Sequence, residues 1–264
     1  MKKNILGFTL IELSIVLFII SLLLVGLLGP LASQIEAKER QQTIDTMNDI
    51  MEALYGYAVI NGRLPCPDTT GDGVSNPVAS LVCTTANGDG WLPWQTLGIN
   101  IQGDVWGNRF KYHVTTPGFT VADDGFCGDG TGGTVSDLDL CQAGDIAILT
   151  RGDNPGTAAV ESKFQYNAAT FVPAVIVSHG KNGLGATTVF NGVALPAPAV
   201  GTDEAQNEDT NTDNIFYSRT YSEGAAGCAD DTNEANLLCQ FDDIVMWVSP
   251  NILMNRMVKA EVLP

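Results

Sequence analysis

The residues in this 264-residue chain that could carry chemistry are its carboxylates, six cysteines and two histidines. One carboxylate stands apart. Glu12 is the lone charged residue between Phe8 and Leu28, a run of about 21 residues that is long enough to cross a bilayer core of roughly 30 Å. A carboxylate at the bilayer centre costs about 2.5 kcal/mol or more on insertion scales. Glu12 sits only one turn inside the junction, so snorkelling reduces that cost in a lone chain. The cost rises again when the helix leaves lipid and packs against copies of itself, unless Glu12 meets a cation.

Two further groups of acids stand out late in the sequence. Asp242 and Asp243 are adjacent, and the run GTDEAQNEDTNTDN holds Asp203, Glu204, Glu208, Asp209 and Asp213. Such a density of hard oxygen donors suits calcium, which takes six to eight oxygens. It equally suits a solvated acidic loop beside a strand that opens on an Asp pair. DTTGDG, from Asp68, has the opening of an EF-hand loop, but its twelfth position is Ala79, where a bidentate Glu is needed. It reads as a turn held by Gly and Asx chemistry.

The cysteines, Cys66, Cys83, Cys127, Cys141, Cys228 and Cys239, form no C-x-x-C pair, which weakens zinc and thioredoxin-like readings. An even count behind a membrane segment suggests disulfides in an oxidising compartment. Pairing of sequence neighbours (Cys66 with Cys83, Cys127 with Cys141, Cys228 with Cys239) would staple one loop each, and free buried thiols are the alternative. His113 lies in FKYHV, where strand alternation puts Lys111 and His113 on the face opposite Phe110, Tyr112 and Val114. This predicts a surface or half-buried histidine. His179 adjoins Ser178, but no nucleophile elbow accompanies them. No P-loop or dinucleotide fingerprint is present, and Gly128–Gly133 is at best a weak phosphate loop. The expectation is a protein that is not an enzyme. Trp91, Trp94, Trp106 and Trp247 suggest a carbohydrate platform or, preferably, packing.

These residues need elements to hold them. Gly29-Pro30 closes the apolar run and predicts a bend. Helical spacing then resumes through Leu31, Ile35, Ile44, Met47, Met51, Leu54 and Ala58, widened by Ile50 and Tyr55. Asn61-Gly62 is a helix stop. One long helix from Phe8 to about Val59 is predicted, with one apolar face in its second half. Beyond Gly62 the composition turns to Gly, Asp, Asn, Thr and Pro. The β-prone runs FKYHV, DIAIL, AVIVS and DIVMWVS follow, and NILMNRMV reads as a closing helix. An α+β fold results, a small antiparallel sheet with long loops laid on the helix. At 45% hydrophobic residues the chain can build a sizeable core. Its net charge of −17 speaks against nucleic-acid binding.

KKNILG followed by FTLIELSIVLFIISLLL resembles the N-terminus of type IV prepilins and of type II secretion pseudopilins. The resemblance implies cleavage by prepilin peptidase between Gly7 and Phe8, N-methylation of Phe8, and pairing of Glu12 with the N-terminal amine of a neighbouring subunit. Three further stretches resemble the major pseudopilin: GRLPCPDTTGDG, DVWGNRFKYHV (with Val105 and Arg109 where that family has proline), and VSHGKNG together with DDIVMW. The last pair implies a calcium site, with Asp242 and Asp243 as ligands and Asn182 in place of the family's Asp. Here Leu184 to Phe241 intervenes between the two motifs, and Asp209 and Asp213 are added candidates.

The expected organisation is a leader (1–7), a transmembrane and assembly helix (8–29), an amphipathic helical half packed on the globular part (30–61), and a periplasmic domain (62–264). Lys2 and Lys3 put the N-terminus in the cytoplasm, so the protein is expected to span the inner membrane once before entering a filament. The expected function is that of a structural subunit of a type II secretion pseudopilus, partnered by other pilin-like subunits, prepilin peptidase and the secretion machinery. The alternatives are a minor or tip subunit of a type IV pilus, for adhesion or DNA uptake, and a membrane-tethered periplasmic binding module.

Overall fold

A computed structural model describes residues 9–77, 83, 88–116, 118–120, 144–151, 161–162, 172–208, 214–224, 228 and 238–263, with backbone alone at 24–32 and 161–162. Helix α1 (Leu10–Asn61) passes Gly29 and Pro30 without interruption. It ends where the sequence says it must. Gly62 adopts φ +67°, a conformation only glycine takes at little cost, and its N–H donates to Ala58 O at 2.8 Å.

The chain divides into two compact units, residues up to Gln42 and residues from Thr43 onward. The packed part of α1 therefore begins at Thr43, later than the residue 30 expected from periodicity. Ile35 is correspondingly exposed. From Met47 the stripe is buried: Met47, Ile50, Met51, Leu54, Tyr55 and Ala58 all lie in one apolar cluster.

That stripe packs on a four-stranded antiparallel sheet, β1 (Asp89–Trp91), β2 (Lys111–Val114), β5 (Ala174–Ser178) and β9 (Ile244–Trp247), in the order β1-β2-β5-β9. The two-residue alternation of strands assigns its faces. Tyr112, Val114, Ala174, Ile176 and Ile244 join the α1 cluster, whereas Val175, Val177 and Val245 join a second cluster on the opposite face. The second cluster is closed by Ile146, Ile148 and Phe216. Ile148 and Phe216 come from another sheet, ordered β4 (Glu161–Ser162), β3 (Ala147–Thr150), β6 (Ile215–Tyr217), in which β3 pairs parallel with β6, and Ile146 precedes β3.

This covering layer corrects the expectation for His113. The side chain is fully buried, 5.4 Å from the Phe216 ring, between Asp89 Oδ1 and Asn214 Oδ1. The face carrying Lys111 and His113 is polar in sequence but lies beneath a layer contributed from a distant segment. All five residues of β5 are buried, in keeping with the unbroken apolar run AVIVS, which fits a strand covered on both faces.

A short helix α2 (Asp203–Glu208) forms inside the acidic run, a two-stranded ladder β7 (Ser222–Glu223) with β8 (Gln240–Phe241) follows, and α3 (Pro250–Lys259) closes the fold. Leu253 and Met257 of α3 enter the α1 cluster. The Tyr55 hydroxyl accepts from Ser249 N at 3.1 Å, and Arg256 donates to both carboxylate oxygens of Glu52 at 2.6 and 2.8 Å.

Candidate functional site

Two places gather the residues singled out by chemistry. The first is the start of α1. Thr9 N and Thr9 Oγ1 donate to Glu12 Oε2 at 3.0 and 2.9 Å, and Glu12 N donates to Thr9 Oγ1 at 3.3 Å. This is a reciprocal capping box, Thr-x-x-Glu, which satisfies donors that the first helical turn leaves open. The Thr-x-x-Glu spacing is the signal in the sequence for this local partner, which stands beside the inter-subunit amine expected for Glu12. Beyond it the helix shows apolar side chains outward: Leu10, Ile11, Leu13, Leu17, Phe18, Leu22 and Leu23 are all exposed. Among the described residues no helix is long and apolar enough to cross a membrane. The expected span 8–29 includes Phe8 and the side chains from 24 onward, which lie outside the described set, as do Gly7 and the leader.

The second place is a buried carboxylate cluster. Glu204, Asp242 and Asp243 each offer an oxygen, and these lie within 4.8 Å of one another. All three side chains are buried. Asp242 and Asp243 are placed by the turn between β8 and β9. Glu204 arrives on α2, which is fixed by a buried pair of guanidinium groups: Arg151 Nε and Arg219 Nε each donate to Asp203 at 2.7 Å. Asn207, one turn on, donates to Asp243 Oδ2 at 2.9 Å and accepts from Tyr217 N at 2.7 Å, tying α2 to β6.

The loop after β5 supplies the remaining frame. Gly180 has φ +60°, and a Cβ there would fall 2.5 Å from Asp242 O and 2.6 Å from its Cγ, so the loop can approach the cluster only with glycine. Asn182 N donates to Asp242 Oδ2 at 2.8 Å. Its side-chain nitrogen donates to both Glu204 oxygens at 3.1 and 3.2 Å, and its Oδ1 accepts from Leu184 N at 2.8 Å. Asn182, expected as a ligand, here holds two carboxylates in place, with its own oxygen turned to the loop. Glu204 joins Asp242 and Asp243 as a third carboxylate of the cluster. Asp209 and Asp213 lie outside the described residues.

Three carboxyl groups in so small a buried space cannot all ionise at little cost. Burial, with the Asp243 charge next, pushes the Glu204 carboxyl up to about 8, and burial also raises Asp242. Asp243 Oδ1 is buried with no hydrogen bond and faces His179 Nδ1 at 3.6 Å, itself without one. The donor set is all oxygen, anionic and incompletely satisfied, and it fits a hard divalent cation. Ser178 Oγ donates to Asp104 Oδ2 at 2.7 Å, so its proton is committed to that carboxylate.

Disulfides join Cys66 to Cys83 and Cys228 to Cys239 as expected, while Cys127 and Cys141 lie outside the described residues, as does Gly128–Gly133. Asp68 is spent on its own loop, accepting from Thr70 N, Gly71 N and Gly73 N at 2.7–2.8 Å, in the manner of an Asx turn.

No curated protein and no solved structure matches the chain. Residues 2–28 match the prokaryotic N-terminal methylation motif. That motif indicates processing by prepilin peptidase and a membrane-anchored protein, and it is consistent with assembly into filaments with pilin subunits. The methylation motif at residues 2–28 marks the chain as a type IV pilin-like protein.

Proposed function

We propose that the chain is a structural subunit of a type II secretion pseudopilus. In this reading prepilin peptidase cuts between Gly7 and Phe8, Phe8 is N-methylated, and the segment 8–29 crosses the inner membrane before it is drawn into a short periplasmic filament that drives protein export. The observation that carries the reading is the methylation motif at residues 2–28, with Glu12 inside it. The new amine on Phe8 is the cation that Glu12 lacks. Between staggered helices the pair fixes axial offset, because a wrong register buries two uncompensated charges. The local bonds from Thr9 give Glu12 a partner until that exchange takes place.

The reading includes a structural calcium ion held by Glu204, Asp242 and Asp243, with Asn182 orienting the first two. When bound, the cation would neutralise the cluster and lock α2 to the β8–β9 turn. The residues themselves perform no chemistry there. They hold the 180–184 loop and α2 in one arrangement at the end of the sheet.

Deletion of the gene in its native cell separates the candidate roles. Loss of protein export with surface fibres intact is expected. Loss of surface fibres or of adhesion with export intact would instead assign the chain to a type IV pilus, and neither defect would point to a tethered binding module.

A further inference from the structure

We infer that the globular unit carries a saccharide-binding cleft walled by Trp91 and Arg109. Two cavities of about 110 and 340 Å³ share Asp68, Trp91 and Arg109 as walls. The larger falls within the usual size range of small-molecule sites, about 300–1,000 Å³. Trp94 and Gln102 line the smaller and Thr187 the larger. Both indoles are half-buried, each keeping part of its surface at the cleft.

Arg109 is the centre of the arrangement. Its guanidinium lies over the Trp91 ring, 5.0 Å from the centroid. On the other side it is held against Gly71, where a Cβ would fall 2.0 Å from Nη1. Gly71 has φ +81°, so backbone conformation and space both call for glycine there. The side chain is thus clamped before any ligand arrives, and a ligand pays little to order it. Among the described residues the guanidinium meets no acceptor. Its fork of N–H donors is left facing the cavities.

The charge balance selects the ligand class. Asp68, Asp89 and Glu208 line the cleft against Arg109 and Lys111. Asp68 is committed to its own loop, and Asp89 lies 3.4 Å from Lys111 Nζ. An anion would enter beside three carboxylates, in a chain of net charge −17. A cation would have to displace or face Arg109 and Lys111. A neutral ligand rich in hydroxyl groups does neither. Its hydroxyls accept from Arg109 and exchange hydrogen bonds with Gln102 and Thr187, while its carbon-bound hydrogens meet the indole walls that Arg109 leaves uncovered. A mono- or disaccharide matches the room and the polarity.

The test uses the full chain in a detergent without a sugar headgroup. Maltose, cellobiose and diacetylchitobiose are titrated in turn, with glucuronate as the anionic counterpart. The readouts are tryptophan emission and saturation-transfer NMR. At least one neutral disaccharide should give a saturable change at millimolar concentration or below. Arg109→Lys, which keeps the charge and loses the fork, should weaken that binding by about tenfold with the unfolding midpoint unchanged. Trp91→Phe should weaken it likewise. If Trp91→Phe does not fold, Arg109→Lys decides alone. Absence of a saturable change with all three disaccharides, equal binding by Arg109→Lys, or binding of glucuronate in their place would overturn the inference.

Discussion

Glu12 has a local partner in Thr9 and, in the proposed reading, a second in the Phe8 amine of a neighbouring subunit. Glutamine serves a capping box as well as glutamate does, so Glu12→Gln preserves the helix start while removing the charge. The substitution should leave membrane insertion intact and reduce filament incorporation severely, as read by cross-linking or by co-isolation with assembled fibres. Normal incorporation would remove the inter-subunit role of the charge. Glu204 supports a second residue-level expectation. Its carboxyl is raised from 4.5 to about 8 in the folded chain, so between those values the folded state binds more protons than the unfolded state. Stability without a cation should therefore fall as pH rises from about 4.5 through 8. Saturating calcium should flatten that fall, because binding favours the deprotonated cluster. Melting temperatures at pH 5 and pH 8, with calcium and with chelator, check both. A profile unaffected by calcium would discard the cation. Asp242 and Asp243 were legible through the resemblance of DDIVMW to the pseudopilin motif. The part played by Glu204 was harder to see. Its contact with Asp242 spans 38 positions and depends on α2 being docked by Arg151 and Arg219. The direction of the Asn182 amide was set by Leu184 N, a backbone group that no spacing rule reveals.

At the scale of elements, α1 and its apolar stripe followed directly from periodicity, and α3 from its amphipathic run. The four-stranded sheet was legible from its β-prone segments, three of which supply its strands β2, β5 and β9. The covering layer was not. Its strands are short and its parallel pair β3–β6 joins segments far apart in sequence, so nothing local marks Lys111 and His113 as buried. Contact energies can be ranked within the α1 packing. Leu54→Ala, at a fully buried position, should cost about 2–5 kcal/mol. Arg256→Ala removes a two-toothed ion pair that remains largely in solvent, and should cost under about 1 kcal/mol. Denaturant unfolding of the full chain measures both, and a reversed order would contradict the placement of the core. Replacing Cys228 and Cys239 together by serine should cost about 2–4 kcal/mol through the freed loop. The same unfolding measurement under oxidising conditions reports it.

For the whole molecule, an apolar helix and a strongly acidic globular part serve different surroundings. The first unit shows its apolar side chains outward, as a segment does when its partners are lipid or other helices. The second contains its own closed core and two described disulfides, suited to an oxidising compartment. In the proposed reading filament assembly joins the two demands, since the helix would leave lipid and Glu12 would need a cation there. That reading depends on one proteolytic event that frees an amine at Phe8. Intact-mass and N-terminal peptide mass spectrometry of the protein isolated from its native membrane measures that event directly. A chain that begins at N-methylated Phe8 is expected. A chain that retains Met1 to Gly7, in cells with active prepilin peptidase, would contradict it.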